Sequence, residues 1–345
     1  MNLHQLVAPI VSFFLTLGGV WLMLRFFPKW KLLDRPHEYG ITDRKPIPYS
    51  GGVIFFLVFL ISTLAFVDIT RPIAGVIFAA FLITLVSFLD DRIRLSPILR
   101  LGVQILAGVI VVFSGVKLQL INNPLGAPIF LDSIKFDFFG QQIWLLSALA
   151  IIGWLVIMMN VMNWLDGIPG LASGISTIAQ FSLFVLSLQQ FHLVDQSALI
   201  TLSSVLAAST LAFLIFDFHP PKILMGDTGS MFLGFMLGVL SILSGGKLAT
   251  ALLIMGFPVF DAIWVTIRRV LRGTSPLKGD HSHFHHRLLK VGLSERKALI
   301  FNYLLCAAFA AIALTIHTPL GKFAALIGLL VTMGLVGIGI MVKRK

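Results

Sequence analysis

The chain has 345 residues, 57% of them hydrophobic and only 12% charged, with a mean hydropathy of +0.97. A soluble domain carries about twice that charged fraction, so the composition excludes one. The net charge of +11 would suggest nucleic acid in a soluble protein, but its placement excludes that partner here, and a single cysteine, Cys306, excludes a disulfide framework.

Thirty Phe and repeated apolar stretches predict an all-α polytopic membrane protein with about eleven transmembrane helices. The spans fall near residues 5–27, 51–67, 72–89, 97–115, 143–162, 170–189, 197–216, 229–245, 248–270, 298–316 and 319–342. Residues 1–24 hold no Lys or Arg and no A-x-A-like site follows, so the first span does not read as a cleaved signal peptide. Cys306 lies in an apolar stretch and reads as packing.

The loops alternate in charge. One set (25–50, 90–100, 217–228, 268–297 and the tail) holds 21 of the 26 Lys and Arg; the other holds Arg71, Lys117, Lys135, Lys247 and Lys322. The positive-inside rule then puts the N-terminus outside and the C-terminus in the cytosol, which needs an odd number of spans. Eleven of the fifteen acids share the cytosolic side, although acids contribute little to topology. A functional cytosolic face explains them. On the other side, residues 116–142 form the one long loop, and its turn residues and partial alternation predict a small β-hairpin on the outer face. No repeat or linker divides the chain, so residues 1–345 read as one integral membrane domain. Its cytosolic loops run over about 28–50, 90–97, 163–170, 217–229 and 271–297.

The first such loop is proline-rich and ends Tyr49-Ser50-Gly51-Gly52, where backbone can approach a ligand. Lys45 in it suits either a phosphate contact or an orientation charge. Asp90-Asp91 ends the third span and is followed by Arg92 and Arg94; adjacent carboxylates beside cations suit metal–phosphate chemistry, or a solvated loop. Arg100 lies one turn into the fourth span, either facing that pair or snorkelling to the interface. Asn163 and Asp166, three apart, share a helix face before the breakers Gly167, Pro169 and Gly170. Gly226-Asp227-Thr228-Gly229-Ser230 suits a divalent ion and phosphate oxygens, or a simple N-cap. Asp261, inside the ninth span, calls for a partner, and a basic residue of the next loop is expected. That loop carries Asp280-His281-Ser282-His283-Phe284-His285-His286-Arg287, suited to a transition metal or to diphosphate hydrogen bonds.

Taken in order, Asp90-Asp91, Asn163-x-x-Asp166-Gly167, Met225-Gly226-Asp227-Thr228-Gly229-Ser230 and His283-x-His285-His286-Arg287 resemble the polyprenyl-phosphate N-acetylhexosamine-1-phosphate transferases, over about residues 34 to 300. The His-x-His-His-Arg-Leu-Leu run followed by Gly-Leu-Ser is similar to the GlcNAc-1-phosphate branch. The resemblance implies transfer of a sugar 1-phosphate from a UDP-N-acetylhexosamine to undecaprenyl phosphate in a bacterial inner membrane, with release of UMP. Mg²⁺ is the implied cofactor, with Mn²⁺ as substitute, and the family suggests a homodimer. By the same resemblance Asp227 and Asn163 would hold the metal, and Asp90 would orient or deprotonate the lipid phosphate with Asp91 in support. Asp166 would lie near the nucleotide, and Lys45, Arg100, His283, His285, His286 and Arg287 would contact phosphates. Two positions depart from the family pattern. Pro169 stands where a second Asp is common, and the first loop lacks a customary His. An ion-coupled transporter is the rival class, but transporters gather acids at the midplane between repeats, not at the span ends.

Overall fold

In the computed structural model, the described residues are 3–36, 44–123, 125–138, 140–190, 196–245, 248–271, 273 and 283–342. Every predicted span meets a helix. The first four are α1 (Leu3–Phe26), α2 (Val53–Phe66), α3 (Arg71–Ile93) and α4 (Pro97–Phe113). The next four are α5 (Leu145–Leu165), α6 (Leu171–Gln190), α7 (Ser197–Asp217) and α8 (Gly226–Leu243). The ninth is two helices, α9 (Leu248–Ile254) and α10 (Gly256–Leu271); a short α11 (Phe284–Lys290) precedes α12 (Glu295–Thr315) and α13 (Pro319–Val342). Among the described residues, α1, α3, α5, α6, α7, α8 and α12 are long and apolar enough to cross a membrane, and α2, α4 and residues 319–335 are shorter apolar helices.

The ninth span breaks at Met255 for a local reason. Pro258 has no N–H to give the carbonyl of Ile254, four residues earlier. The thiol of Cys306 on α12 donates to that carbonyl instead, at 3.2 Å. Cys306 is buried packing, as expected, with this added task.

The predicted single hairpin is two antiparallel ladders. β1 (Leu120–Ile121) pairs with β2 (Ile129–Phe130), and β3 (Lys135–Phe138) pairs with β4 (Gln141–Trp144). The partly alternating stretch from Ile129 to Phe138 holds both β2 and β3, with the buried Leu131 between them.

α8 is the post of the bundle, packed against α5 and α3. Every residue from Gly226 to Ile242 is buried except Asp227, so its single partly open position is the motif's carboxylate. Apolar contact alone cannot select helix partners inside lipid, and hydroxyl pairs supplement it. Thr16 meets Ser209 at 2.7 Å, Thr177 meets Thr210 at 3.0 Å, and Trp154 Nε1 donates to Ser241 at 2.8 Å. Each contributes about 1 kcal/mol. The end of the bundle where α3 and α5 finish and α4 and α8 begin carries the site.

Candidate active site

α3 continues through the predicted boundary, so Asp90 and Asp91 stand in its last helical turns and not in a loop. Neighbours on a helix point about 100° apart, and the two carboxylates therefore serve different partners. Asp91 faces α8. Its Oδ1 accepts the N–H of Asp227 at 2.9 Å, and its Oδ2 accepts the Thr228 hydroxyl at 2.6 Å and the Thr228 N–H at 3.4 Å. No side chain of α8's own N-cap serves these donors. Asp91 caps α8 from another helix, satisfying N–H groups that a helix start leaves open. Gly226 makes room: its φ is 70°, and a Cβ there would lie 2.5 Å from Asp91 Oδ2.

Asp90 faces α4. Its Oδ1 accepts the Leu95 N–H at 2.6 Å, and its Oδ2 lies 2.9 Å from Arg100 Nη1. The same Nη1 is 2.8 Å from Asp227 Oδ2. Asn163 Nδ2 donates to the other Asp227 oxygen at 2.9 Å and to Ser230 at 3.2 Å. Thus one cationic nitrogen sits between carboxylates of α3 and α8, and Arg100 takes the facing position of its two alternatives. The oxygen donors of Asp90, Asp227 and Asn163 suit a hard divalent ion. Among the described residues no group of three or more His, Cys, Asp or Glu forms a ready metal cage.

The glycine pair of the first loop approaches protein. Gly51 and Gly52 N–H groups donate to the carbonyls of Leu224 and Met225 at 2.9 and 3.0 Å, and a Cβ on Gly52 would lie 2.1 Å from Gly229 Cα. That loop is pinned by Asp34, which pairs with Arg44 and accepts the Ile47 N–H at 2.7 Å. Lys45 is exposed and lines neither cavity described next.

A polar cavity of about 320 Å³ opens over Asp90, Asp91, Arg100 and Asp227. Lys31, Arg35, Tyr49, Arg92 and Arg94 also line it, and the motif reading assigned none of them. Arg92 and Arg94 adjoin the carboxylate pair in sequence and were within reach of that reading; Lys31 becomes a neighbour only because α1 ends beside α3, where Arg92 Nη1 lies 3.4 Å from the Lys31 carbonyl. Among the described residues the non-glycine positions with left-handed φ are Lys31 (54°), Ser50 (65°) and Arg94 (52°). Each costs about 1–3 kcal/mol, and all three lie in or next to the lining of this cavity. A second, mainly apolar cavity of about 350 Å³ runs between α4, α5 and α10, lined by Leu101, Ile157, Val161, Trp164, Ile263 and Ile267 among others. Pro97 and Arg100 border both.

Asp166 caps the end of α5, half-buried. Burial, and then the like charges of Asp217, Asp227 and Asp91, push its carboxyl well above the usual range. The turn after it is held by Asp217, a residue the motif reading left without a role. Asp217 Oδ2 accepts the Gly170 N–H at 3.0 Å and the Ser173 hydroxyl at 2.6 Å, and Tyr303 donates to the Gly170 carbonyl. Gly170 has a φ of 88°.

Asp261 finds the basic partner expected from the next loop. His283 Nδ1 lies 2.9 Å from its Oδ2, and the Phe284 N–H is within 3.1 Å of both carboxylate oxygens. The His283 ring also stacks on Trp164, centroids 6.0 Å apart. Expected as a phosphate contact, His283 is buried and ties α10 to α5 and α11. His286 and Arg287 follow on α11, partly buried. The His285 side chain, and all of Asp280, His281 and Ser282, lie outside the described residues.

The family description "Glycosyl transferase family 4" matches residues 73–245, half of the chain and the part that supplies Asp90, Asp91, Arg100, Asn163, Asp166 and Asp227. A probable undecaprenyl-phosphate N-acetylglucosaminyl 1-phosphate transferase of Bacillus subtilis (strain 168) is 32% identical over 319 residues, covering 90% of this chain and 85% of the relative. A decaprenyl-phosphate N-acetylglucosaminephosphotransferase of Mycolicibacterium smegmatis is 31% identical over 372 residues, covering 97% and 87%. An undecaprenyl-phosphate alpha-N-acetylglucosaminyl 1-phosphate transferase of Escherichia coli (strain K12) is 27% identical over 324 residues, covering 90% and 84%. These matches bear out the resemblance carried by the motifs: the chain belongs to glycosyl transferase family 4.

Proposed function

We propose that the protein transfers an N-acetylhexosamine 1-phosphate, GlcNAc-1-phosphate first among them, from a UDP-sugar to undecaprenyl phosphate, releasing UMP. The observation that carries the reading is the junction at Arg100. A lipid phosphate needs an apolar channel for its chain and a charged chamber for its headgroup, meeting at the membrane boundary. The apolar cavity between α4, α5 and α10 suits the isoprenoid, and the polar cavity over Asp90 suits the two phosphates. The excess of Lys and Arg in the loops on this side supports placing the site in the cytosol, the N-terminus outside and the protein in a bacterial inner membrane.

In this reading an oxygen of the acceptor phosphate forms a bond to the phosphorus that carries the sugar. The bridging P–O bond breaks and UMP leaves with its electron pair. Phosphoryl transfer is catalysed mainly by positioning and charge neutralisation. A phosphate monoester is largely dianionic at neutral pH, so Asp90 need not remove a proton. Its role is to hold Arg100 and aim the acceptor. Asp227 and Asn163 would hold Mg²⁺ or Mn²⁺, which would supply neutralisation of the developing charge. Asp91 holds the α8 backbone that presents Asp227.

A panel of radiolabelled UDP-sugars, incubated with the purified protein and undecaprenyl phosphate, tests the reading by the mass of the lipid product. GlcNAc-diphospho-undecaprenol is the expected product. A product built from another deoxy-amino sugar or from phospho-MurNAc-pentapeptide would move the donor assignment, and no lipid-linked product from any donor would overturn the function.

A further inference from the structure

All five cation–ring pairs among the described residues stand at the two ends of the bundle. At the site end Arg25 lies over Trp21, Lys29 over Phe26 and Arg92 over Phe88. At the opposite end Lys117 and Lys135 both lie over Trp144, at 4.8 and 5.2 Å from the ring centroid. Trp144 is the last residue of β4, and α5 begins at Leu145. Nineteen residues separate it from Asn163, about 29 Å along a helix, which matches the hydrocarbon thickness of roughly 30 Å. Trp144 therefore stands at headgroup level opposite the site, where indole rings and snorkelling lysines concentrate.

The two ladders are fixed at that level. β4 runs into α5 with no linker, Leu118 donates to Ser147 at 2.8 Å, and Phe138 meets Phe113, near the end of α4, edge to face at 5.5 Å. Yet the ladders expose Ile129 (53%), Phe130 (60%), Ile134 (49%) and Phe136 (43%). In the β3–β4 ladder, strand alternation puts Phe136 and Phe138 on the face of the buried Ile143, and Lys135 and Asp137 on the face of Trp144. The ladder is thus amphipathic, and its apolar face turns the way the bundle lies. Water is an unfavourable phase for these side chains, and lipid is the apolar phase continuous with the exposed flanks of α4 and α5.

We propose that the β1–β4 segment is an interfacial anchor, laid on the leaflet opposite the site with Phe130, Ile134 and Phe136 inserted at acyl–glycerol depth. Its partner is the lipid surface itself, and Trp144 with its two lysines sets the depth.

Nitroxide labelling of the full chain in nanodiscs of phosphatidylcholine with one quarter phosphatidylglycerol tests this. Single cysteines are introduced as Phe130→Cys, Phe136→Cys, Asp137→Cys and Leu149→Cys, with the unsubstituted chain as blank because Cys306 is buried. Collision with oxygen should exceed collision with a water-soluble nickel chelate by several-fold at positions 130 and 136, as at the lipid-facing position 149. At position 137 the chelate should dominate. Chelate-dominated collision at both 130 and 136 would overturn the proposal, and spin–spin broadening at those positions would assign the face to a second copy of the chain. Ile134→Cys gives an independent reading if a phenylalanine variant fails to assemble.

Discussion

The two ends of the bundle handle charge in opposite ways. At the site end, contacts across long stretches of chain join the helices: Asp91 to Thr228, Arg100 to Asp227, Asn163 to Asp227. At the far end, Lys135 pairs with Asp132 and lies over Trp144, whose Nε1 donates to Gln142. The far end is joined over shorter stretches within residues 113–147, by Phe138 on Phe113 of α4 and Leu118 on Ser147 of α5. The site exists only while α3, α4, α5 and α8 keep their places. A shift at any of four helix ends therefore dismantles the site, whereas the ladders depend on α4 and α5.

Substitutions sharpen that contrast. Asp227→Ala should lower UMP release by roughly 10³-fold, since it removes the one carboxylate that meets both Arg100 and Asn163. A variant that keeps more than a tenth of the wild-type turnover would take Asp227 out of the chemistry. Asp90→Asn should cost about 10²-fold in kcat while equilibrium binding of the UDP-sugar holds. Loss of nucleotide binding would instead move Asp90 to the donor side.

Gly226→Ala tests the capping role of Asp91 without touching a carboxylate. The added Cβ meets Asp91 Oδ2 and the left-handed backbone disfavours alanine, so the fold should lose about 1–3 kcal/mol. Thermal unfolding in detergent would show it, and an unchanged midpoint would mean that α8 does not depend on this junction. Lys45→Ala should change turnover less than twofold, because the side chain is exposed and away from both cavities. Lys117→Ala should leave kcat and KM as they are; a tenfold fall would couple the two ends and erase the contrast.

Local sequence carried much of this. Hydropathy located the helices because a lipid-spanning segment must satisfy its own backbone and present apolar side chains, two demands visible within about 20 residues. The motifs located Asp90, Asp91, Asn163 and Asp227, and the position one turn into the fourth span located Arg100, because polar residues stand out against apolar spans. The partner of Asp261 was legible by the same logic, since a buried acid requires one. The break at Met255 was written in Pro258, although hydropathy alone read through it.

What tertiary structure decided is which partner each group met. That Asp91 caps α8 while Asp90 holds Arg100 follows from the helical twist between adjacent residues, and that twist matters only once α3 continues past the apolar stretch. Lys31 and Asp217 carry no local signal; the Lys31 carbonyl meets Arg92, and Asp217 meets Gly170 and Ser173, across separations of 44 to 61 residues. Hydropathy and motif spacing describe one segment at a time, and the site is made of the ends of four, so its residue types were determined by sequence and its geometry by packing.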